Sequence, residues 1–417
     1  MLKTNLRKII VGSLLLLTVL VAINYSVLNR LYRVVTLFDK ENIVGNFLDM
    51  KDFLNYSTVK ASSQPYRFAT ETKDIPVSFA FRGENLDTED FFRDNRTTGI
   101  LVLKSGDIVY ERYFLGHSES NRHISWSVAK SFVSALFGIA MEEGSIKSVD
   151  DLVTDYVPEL KNTGYDGIII KDVLQMATGV GFNEDYGDFF SDINRFGRTI
   201  ALGASLDDFS ASLKKHSDPG QKLHYVSINT QVLGMILTRA TGMSLTDYLQ
   251  EKLWEPLGME HDAYWITDNQ GMELALGGLN ATMRDYAKFG QLFANGGVWQ
   301  GRQIIPQDWY TASVTPDAPH IMPDRRNTGR STDFGYGYQW WIPGQSDDEF
   351  MARGVYNQFI YIDPDAEVVI VNNSANHLYN DRSHHWEEKH ISLFRSIVLS
   401  LEGSQTISTP ALRQQAN

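Results

Sequence analysis

The feature that most constrains the fold is a long helical pattern that begins just after Ser125. The run SWSVAKSFVSALFGIAMEEG places apolar residues from Phe132 to Ala140 at helical spacing, with apolar residues on the remaining sides as well. A helix that is apolar nearly all round is a buried helix, so the rest of the chain must surround it. Ser127 and Lys130 stand three residues apart at its start, which places a hydroxyl and an amine on the same face. Burial lowers the pKa of a lysine, so this pair predicts a serine nucleophile with its own base.

The spacing alone is not specific, because Ser-x-x-Lys also occurs at Ser57 to Lys60 and at Ser212 to Lys215. Those two pairs lie in polar surroundings, where neither lysine would be desolvated. An ordinary serine in the first turn of a helix remains the alternative for Ser127. The remaining motifs must decide between these interpretations.

Composition excludes several classes of protein. A chain of 417 residues can form one large domain or two moderate ones, each with a full core. Its net charge of -13 argues against a nucleic-acid partner, which normally meets a basic face. Because the chain has no cysteine, it has no disulfides, no thiolate metal site and no cysteine nucleophile.

The N-terminus reads as a membrane segment over residues 1–33. Basic residues precede an apolar run from Ile9 to Ile23, which is typical of a signal peptide or of a signal anchor. No small-x-small cleavage site follows cleanly, so the sequence favours an uncleaved anchor with the catalytic domain facing the periplasm or the exterior. Arg30 and Arg33 on the far side oppose that orientation. We expect a surface-packed connector at 34–96, a catalytic domain at 97–402 and a disordered tail at 403–417.

The remaining pattern predicts an α+β fold. A hairpin of Ile100–Leu103 and Ile108–Tyr113 precedes the Ser127 helix, and a mainly helical middle follows, including Ser227–Thr241, Leu245–Leu257 and Met283–Asn295. Three strands are expected near the end, at Phe334–Trp341, Gln358–Ile362 and Glu367–Asn372, before a closing helix at Ser383–Leu401. Strands at both ends predict one antiparallel sheet, flanked by helices and interrupted by a helical insertion.

Tyr225 is a candidate proton carrier, because it stands where the turn at Pro219-Gly220 meets a helix. A tyrosine beside a lysine is expected to favour its phenolate form enough for proton shuttling. A core tyrosine at a helix start is the alternative.

Five motifs in order give the chain a family resemblance. They are SVAK at Ser127, LQMATG ending at Gly179, Tyr225-Val226-Ser227, GGLNATMRDYAKFG from Gly277 and FGYGYQWW from Phe334. Over about residues 97 to 400 the chain resembles the serine beta-lactamase-related family. That family includes class C beta-lactamases, D-alanyl-D-alanine carboxypeptidases, esterases and 6-aminohexanoate-dimer hydrolases, and the last branch is the most similar.

The resemblance implies a beta-lactamase/transpeptidase-like fold and a set of roles. Ser127 would form the acyl-enzyme, Lys130 would be the general base and Tyr225 would relay the proton to the leaving group. The amides of Ser127 and Val355 would form the oxyanion hole, with Gly354 allowing close backbone approach. No metal or organic cofactor is implied.

Two departures from the family pattern bear on the substrate. Ser227 stands where beta-lactamases carry asparagine, and Ala352-Arg353-Gly354 aligns with a motif that normally begins with a cation. Strand alternation should turn Arg353 away from Ala352, so it would not replace that cation. We therefore expect a small ester or a linear amide as substrate. Beta-lactamase or D-alanyl-D-alanine carboxypeptidase activity, and a silent ligand-binding pseudoenzyme, are the alternatives.

Some further residues have two interpretations each. Glu184, Asp185 and Asp188 either line the cleft mouth and prefer a cationic substrate, or form a solvated loop. Tyr186, Tyr338 and Trp340 are candidate pocket walls or core aromatics. Four residues near the C-terminus resemble metal ligands, but we expect them to form a solvated helix face. They are His384, His385, Glu388 and His390.

Overall fold

The computed structural model describes residues 2–323, 334–344 and 349–403. The predicted tail lies outside these residues beyond Gly403. In the described residues, the α-helices are α1 (Leu2–Ile23), α2 (Tyr25–Val35), α3 (Ile43–Leu48), α4 (Thr88–Asp94), α5 (Ala129–Glu142), α6 (Val153–Tyr156), α7 (Ile170–Leu174), α8 (Asp192–Leu202), α9 (Leu206–Ser212), α10 (Ile228–Thr241), α11 (Leu245–Leu249), α12 (Met283–Ala294), α13 (Gln307–Val314) and α14 (Trp386–Gly403). The strands are β1 (Tyr56–Val59), β2 (Ser78–Phe81), β3 (Glu84–Asp87), β4 (Thr97–Lys104), β5 (Asp107–Tyr113), β6 (His123–Ile124), β7 (Ala263–Ile266), β8 (Leu279–Ala281), β9 (Val298–Trp299), β10 (Arg302–Gln303), β11 (Gly335–Tyr336), β12 (Trp341–Ile342), β13 (Phe350–Gly354), β14 (Gln358–Asp363) and β15 (Val368–Ser374).

The main sheet is built from both ends of the chain. Its strand order is β11-β12-β13-β14-β15-β4-β5, and each neighbouring pair is antiparallel. The late strand β15 pairs with the early strand β4, with Ile370 opposite Val102. The predicted α+β class and the sheet joined from two termini are confirmed.

Helices cover both faces of this sheet. On one face α12 approaches closely at Gly290, where a Cβ would lie 2.5 Å from Val369 and 2.8 Å from Ile360. On the other face, Phe394 of α14 packs with its ring centroid 5.3 Å from that of Tyr361. Each layer buries its own apolar cluster, and α5 belongs to the same cluster as α12.

The helix α5 is buried as its pattern predicts. Every residue from Ala129 to Ala140 is buried. α10 packs against it from the helical region. A one-turn 3₁₀-helix, Trp126–Val128, leads into α5 and carries Ser127. The turn that carries Ser127 is therefore fixed to a helix that is buried along most of its length.

A second sheet, which the sequence pattern did not reveal, holds the chain just before Ser127. Its order is β1-β7-β8-β6, and β6 ends at Ile124. The next amide, that of Ser125, donates to Leu279 O at 2.8 Å and so extends the pairing with β8. Strands of two or three residues carry too little periodicity to be recognised in a sequence.

The segment at 34–96 lies deeper than the surface packing predicted for it. β1 is an edge of the second sheet and pairs with β7. Ile43, Phe47 and Val59 are fully buried within the main apolar cluster. Part of this segment therefore contributes to the domain core.

Three predicted elements have different bounds. Phe334–Trp341 is not one strand, because a turn with Gln339 at φ 65° separates β11 from β12. The helix predicted to reach Leu257 ends as an α-helix at Leu249 and continues as a π-helix, Gln250–Trp254. The closing helix begins at Trp386 instead of Ser383, because His385 adopts φ 51°.

Candidate active site

Ser127 and Lys130 are in contact at the start of α5. Lys130 Nζ lies 2.9 Å from Ser127 Oγ and donates a second hydrogen bond to Leu276 O at 2.6 Å. Both side chains are buried. Burial lowers the pKa of Lys130 to about 7, and the negative charge of Glu184 opposes part of this shift. A large neutral fraction at neutral pH makes this amine able to accept the Ser127 proton.

Tyr225 joins the pair from the chain that leads into α10. Lys130 Nζ lies 5.5 Å from its ring centroid, and interactions with Ser127 and Ser227 act to lower the pKa of its hydroxyl. Burial raises the pKa of Tyr225 far above its usual value, and the charge of Glu184 raises it further. This direction is opposite to the expected preference for a phenolate, because desolvation is the largest influence on the pKa of the hydroxyl. A neutral Tyr225 can donate a proton.

The end of β13 lies against the turn that carries Ser127. A Cβ placed on Gly354 would meet Ser125 O at 2.6 Å and Ser127 N at 3.1 Å. Only glycine permits this approach without displacing the backbone. Val355 follows directly, so the two amides expected to form the oxyanion hole belong to adjoining backbone segments.

Glu184 contributes to the site in a way that sequence reasoning left open. Its carboxylate accepts hydrogen bonds from the Ser227 amide at 3.0 Å, from the Ser227 hydroxyl and from the Tyr186 hydroxyl at 3.1 Å. Burial raises the pKa of Glu184, and the charge of Lys130 opposes this. This carboxylate is held inward, close enough to the lysine for their charges to interact.

The neighbouring carboxylates behave differently. Asp185 and Asp188 are exposed and accept hydrogen bonds from the amides of Gly187 and Phe190, both at 2.8 Å. They shape the loop instead of facing Lys130. Alternation along the chain distinguishes inward Glu184 from outward Asp185, but it does not account for the exposure of Asp188.

Arg353 points away from Ala352, as strand alternation predicts. Its guanidinium lies 4.3 Å from the Trp341 ring centroid and pairs with Glu387. Trp341 in turn stacks on Tyr225, with centroids 5.2 Å apart. Arg353 therefore supports the tyrosine through an aromatic ring.

Two of the predicted pocket walls are not brought to this cluster. Trp340 is fully buried and packs on Phe293, with centroids 4.4 Å apart. Tyr338 packs on Trp309, which itself lies against Gly138 near the far end of α5. Both are core aromatics, so a substrate-binding role for them is wrong. Tyr186 and Ser227 do belong to the cluster, through Glu184.

The histidines near α14 do not form a metal centre. No group of three or more potential metal ligands occurs among the described residues. His390 is fully buried, which corrects its placement on a solvated face. Its Nδ1 donates to Trp386 O at 2.6 Å, and its Nε2 accepts from Asn95 at 3.1 Å.

The family model for Beta-lactamase matches residues 89–388 of this chain. The chain belongs to the beta-lactamase family. Within this family, it is similar to the 6-aminohexanoate-dimer hydrolase of Paenarthrobacter ureafaciens. The two are 31% identical over 296 residues, which cover 69% of this chain and 75% of the relative.

Solved structures agree with this assignment. One from Bacillus anthracis, named for the 6-aminohexanoate-dimer hydrolases, has a TM-score of 0.79 and 28% identity, covering 88% of this chain and 96% of that chain. The penicillin-binding protein homologue of Pyrococcus abyssi has a TM-score of 0.55 and 20% identity, covering 75% of each chain. The latter likeness concerns the fold alone. The chain is a hydrolase of the beta-lactamase family, similar to a 6-aminohexanoate-dimer hydrolase.

Proposed function

We propose that this protein is a serine hydrolase that cleaves a small ester or a linear amide through an acyl-enzyme on Ser127. The observation that carries the proposal is the 2.9 Å separation between Ser127 Oγ and a buried Lys130 whose pKa is lowered to about 7. An amine that titrates near neutral pH is matched to the work of a general base. A nucleophile in contact with such a base is the signature of covalent catalysis.

The first half of the reaction forms the acyl-enzyme. Ser127 Oγ attacks the substrate carbonyl carbon and passes its proton to Lys130 Nζ. The carbonyl oxygen becomes an oxyanion, which the amides of Ser127 and Val355 stabilise. The bond to the leaving alcohol or amine then breaks, and the leaving group takes a proton from the Tyr225 hydroxyl. Lys130 returns its proton to Tyr225.

The second half releases the acid. A water molecule passes a proton to the neutral Lys130 amine and attacks the acyl carbon. The bond to Ser127 Oγ then breaks, and the serine regains its proton from Lys130. Ser127, Lys130 and Tyr225 are therefore the side chains that carry protons in the two halves of the reaction. No cofactor is needed for these steps.

Two features support an ester or a linear amide as substrate. Ala352 offers no cation for the carboxylate of a lactam or a D-alanyl peptide, and Arg353 faces the other way towards Trp341. The name of the Paenarthrobacter relative is that of an amide hydrolase. A panel of p-nitrophenyl esters, 6-aminohexanoate dimer, D-Ala-D-Ala peptides and nitrocefin separates the candidates. Nitrocefin turnover faster than that of the esters would favour the beta-lactamase alternative.

We also propose that the N-terminal helix anchors the enzyme, with the catalytic domain in the periplasm or outside the cell. Asn5–Ile23 within α1 is 19 residues long, has a mean hydropathy of 2.2 and is not buried by the rest of the protein. These values suit a membrane span, and a signal sequence has the same properties. Carbonate extraction and protease accessibility of the expressed full chain test the anchor and its orientation.

Labelling with a fluorophosphonate tests the enzymatic proposal. We expect one adduct on Ser127, which Ser127→Ala abolishes. A folded wild-type protein that takes up no label would instead support the ligand-binding pseudoenzyme.

A further inference from the structure

The two residues that flank the expected oxyanion amides both adopt an unusual backbone conformation. Trp126, which precedes Ser127, has φ 46°, and Tyr356, which follows Val355, has φ 61°. Residues other than glycine rarely adopt this left-handed backbone conformation. They keep it only where the surrounding structure imposes it. Both amides therefore depend on neighbours that hold a strained backbone in place.

Aromatic contacts from the N-terminal segment supply that constraint. Phe38 stacks on Tyr356, with centroids 4.4 Å apart and planes 14° apart, and its centroid lies 5.6 Å from that of Trp126. Phe47 packs edge-on against Trp126 at 5.4 Å and against Tyr356 at 5.5 Å. We call these four rings, Phe38, Phe47, Trp126 and Tyr356, the aromatic clamp.

The two phenylalanines of the clamp differ in burial. Phe47 lies in α3, is fully buried and packs edge-on against His123 of β6, with centroids 5.8 Å apart. Phe38 is half-buried in the link between α2 and α3. The chain that leaves the N-terminal helix therefore reaches the nucleophile turn within a few residues of α2.

We propose that Phe38 and Phe47 are positioning residues that hold the Ser127 and Val355 amides in register as one oxyanion hole. Those amides come from segments far apart in sequence. Each phenylalanine contacts both Trp126, which precedes one amide, and Tyr356, which follows the other. The proposal rests on the function proposed above. It makes the part of the N-terminal segment that carries Phe38 and Phe47 a support for the proposed oxyanion hole.

Replacing Phe38 by leucine tests the clamp, because leucine keeps an apolar side chain and removes the stacked ring. The full chain in detergent is assayed with a p-nitrophenyl ester and titrated with an alkyl boronic acid, which forms a tetrahedral adduct with the serine. Oxyanion donors act on the transition state, so kcat should fall about ten-fold or more in Phe38→Leu. KM should stay within about twofold. Boronate affinity should fall in parallel with kcat, and Phe38→Tyr, which retains the ring, should restore both.

Phe81→Leu is the matched control. Phe81 is also half-buried and belongs to the same segment, but it packs on His385 beside the other apolar cluster. This variant should keep wild-type kcat and boronate affinity.

Two results would overturn the clamp while leaving the proposed function intact. One is an active wild type with an unchanged kcat in Phe38→Leu. The other is an equal loss in Phe38→Leu and Phe81→Leu, accompanied by equal losses of Tm, which would indicate ordinary packing. A wild type that takes up no fluorophosphonate overturns the proposed function first, and the clamp with it.

Discussion

The Glu184 carboxylate accepts hydrogen bonds from both the amide and the hydroxyl of Ser227. Ser227 immediately precedes α10 and stands two residues after Tyr225. The carboxylate thus ties the loop at 182–190 to the chain that carries the tyrosine, and it places a negative charge near Lys130. Glu184 therefore influences both the pKa of Lys130 and the position of the chain that carries Tyr225.

Removing the charge of Glu184 should shift the pH dependence of catalysis. The negative charge raises the pKa of Lys130 against the effect of burial, which lowers it to about 7. In Glu184→Gln the lysine pKa should fall further, so the acidic limb of the kcat/KM profile moves to lower pH. Asp185→Asn is the control, because Asp185 is exposed in the same loop. An acidic limb that stays in place in Glu184→Gln would show that it does not report Lys130.

Loss of the Tyr225 hydroxyl should mainly slow turnover. Tyr225→Phe keeps the ring stacked on Trp341 and removes the only group on the side chain that can donate a proton. We expect kcat to fall by about two to four decades, as for other general acids and bases. Steady-state kinetics with esters of differing leaving groups would measure this fall in kcat. A change of less than about threefold would make the hydroxyl structural.

A methyl group at Gly354 should disrupt the nucleophile turn. The added Cβ would lie 2.6 Å from Ser125 O and 3.1 Å from Ser127 N, so the backbone must move apart. Correctly placed oxyanion donors contribute about two to three decades to kcat, and Gly354→Ala should remove a large share of this contribution. In Gly197→Ala the added methyl meets open space within α8, and activity should be retained. Full activity in Gly354→Ala would contradict the proposed oxyanion hole.

Buried histidines should make the fold sensitive to acid. Burial lowers the pKa of His117 to about 4, and the pKa values of His123 and His390 to about 3. The unfolded chain binds these protons below about pH 6.5, whereas the native state binds them only near pH 4 or lower, so falling pH favours unfolding. Each histidine should cost up to about 1.4 kcal/mol per pH unit in that window.

Urea unfolding at a series of pH values checks this expectation. His390→Gln should flatten the dependence on pH, because it removes one of the three groups. A free energy of unfolding that does not decline below about pH 6.5 would refute the assignment of these histidines as neutral in the native state.

The long, strongly patterned elements were predictable from the sequence, and the short ones were not. The buried helix after Ser127 and the hairpin before it follow from periodicity over many residues, and both are present as α5 and as β4 with β5. β6 and β8, which have two and three residues, carry no readable pattern although they hold the chain beside the nucleophile.

The residues of the candidate site were also predictable only in part. Ser127, Lys130 and Tyr225 could be named from their motifs, whereas the inward turn of Glu184 depends on tertiary contacts with Ser227 and Tyr186. The burial of Tyr338 and Trp340 likewise depends on which face of a short strand or turn meets the core. A motif can identify a reactive residue, but it does not report what packs around it.

The most direct test of the central claim is the mass of the intact protein after rapid quenching of a reaction with a p-nitrophenyl ester. An acyl-enzyme on Ser127 predicts a mass increase of one acyl group, which digestion then places on the peptide that contains Ser127. It also predicts a burst of p-nitrophenol close to one per active site. Ser127→Ala should show neither. Turnover of the ester by folded wild-type protein with no acyl adduct, or an adduct elsewhere that persists in Ser127→Ala, would contradict it.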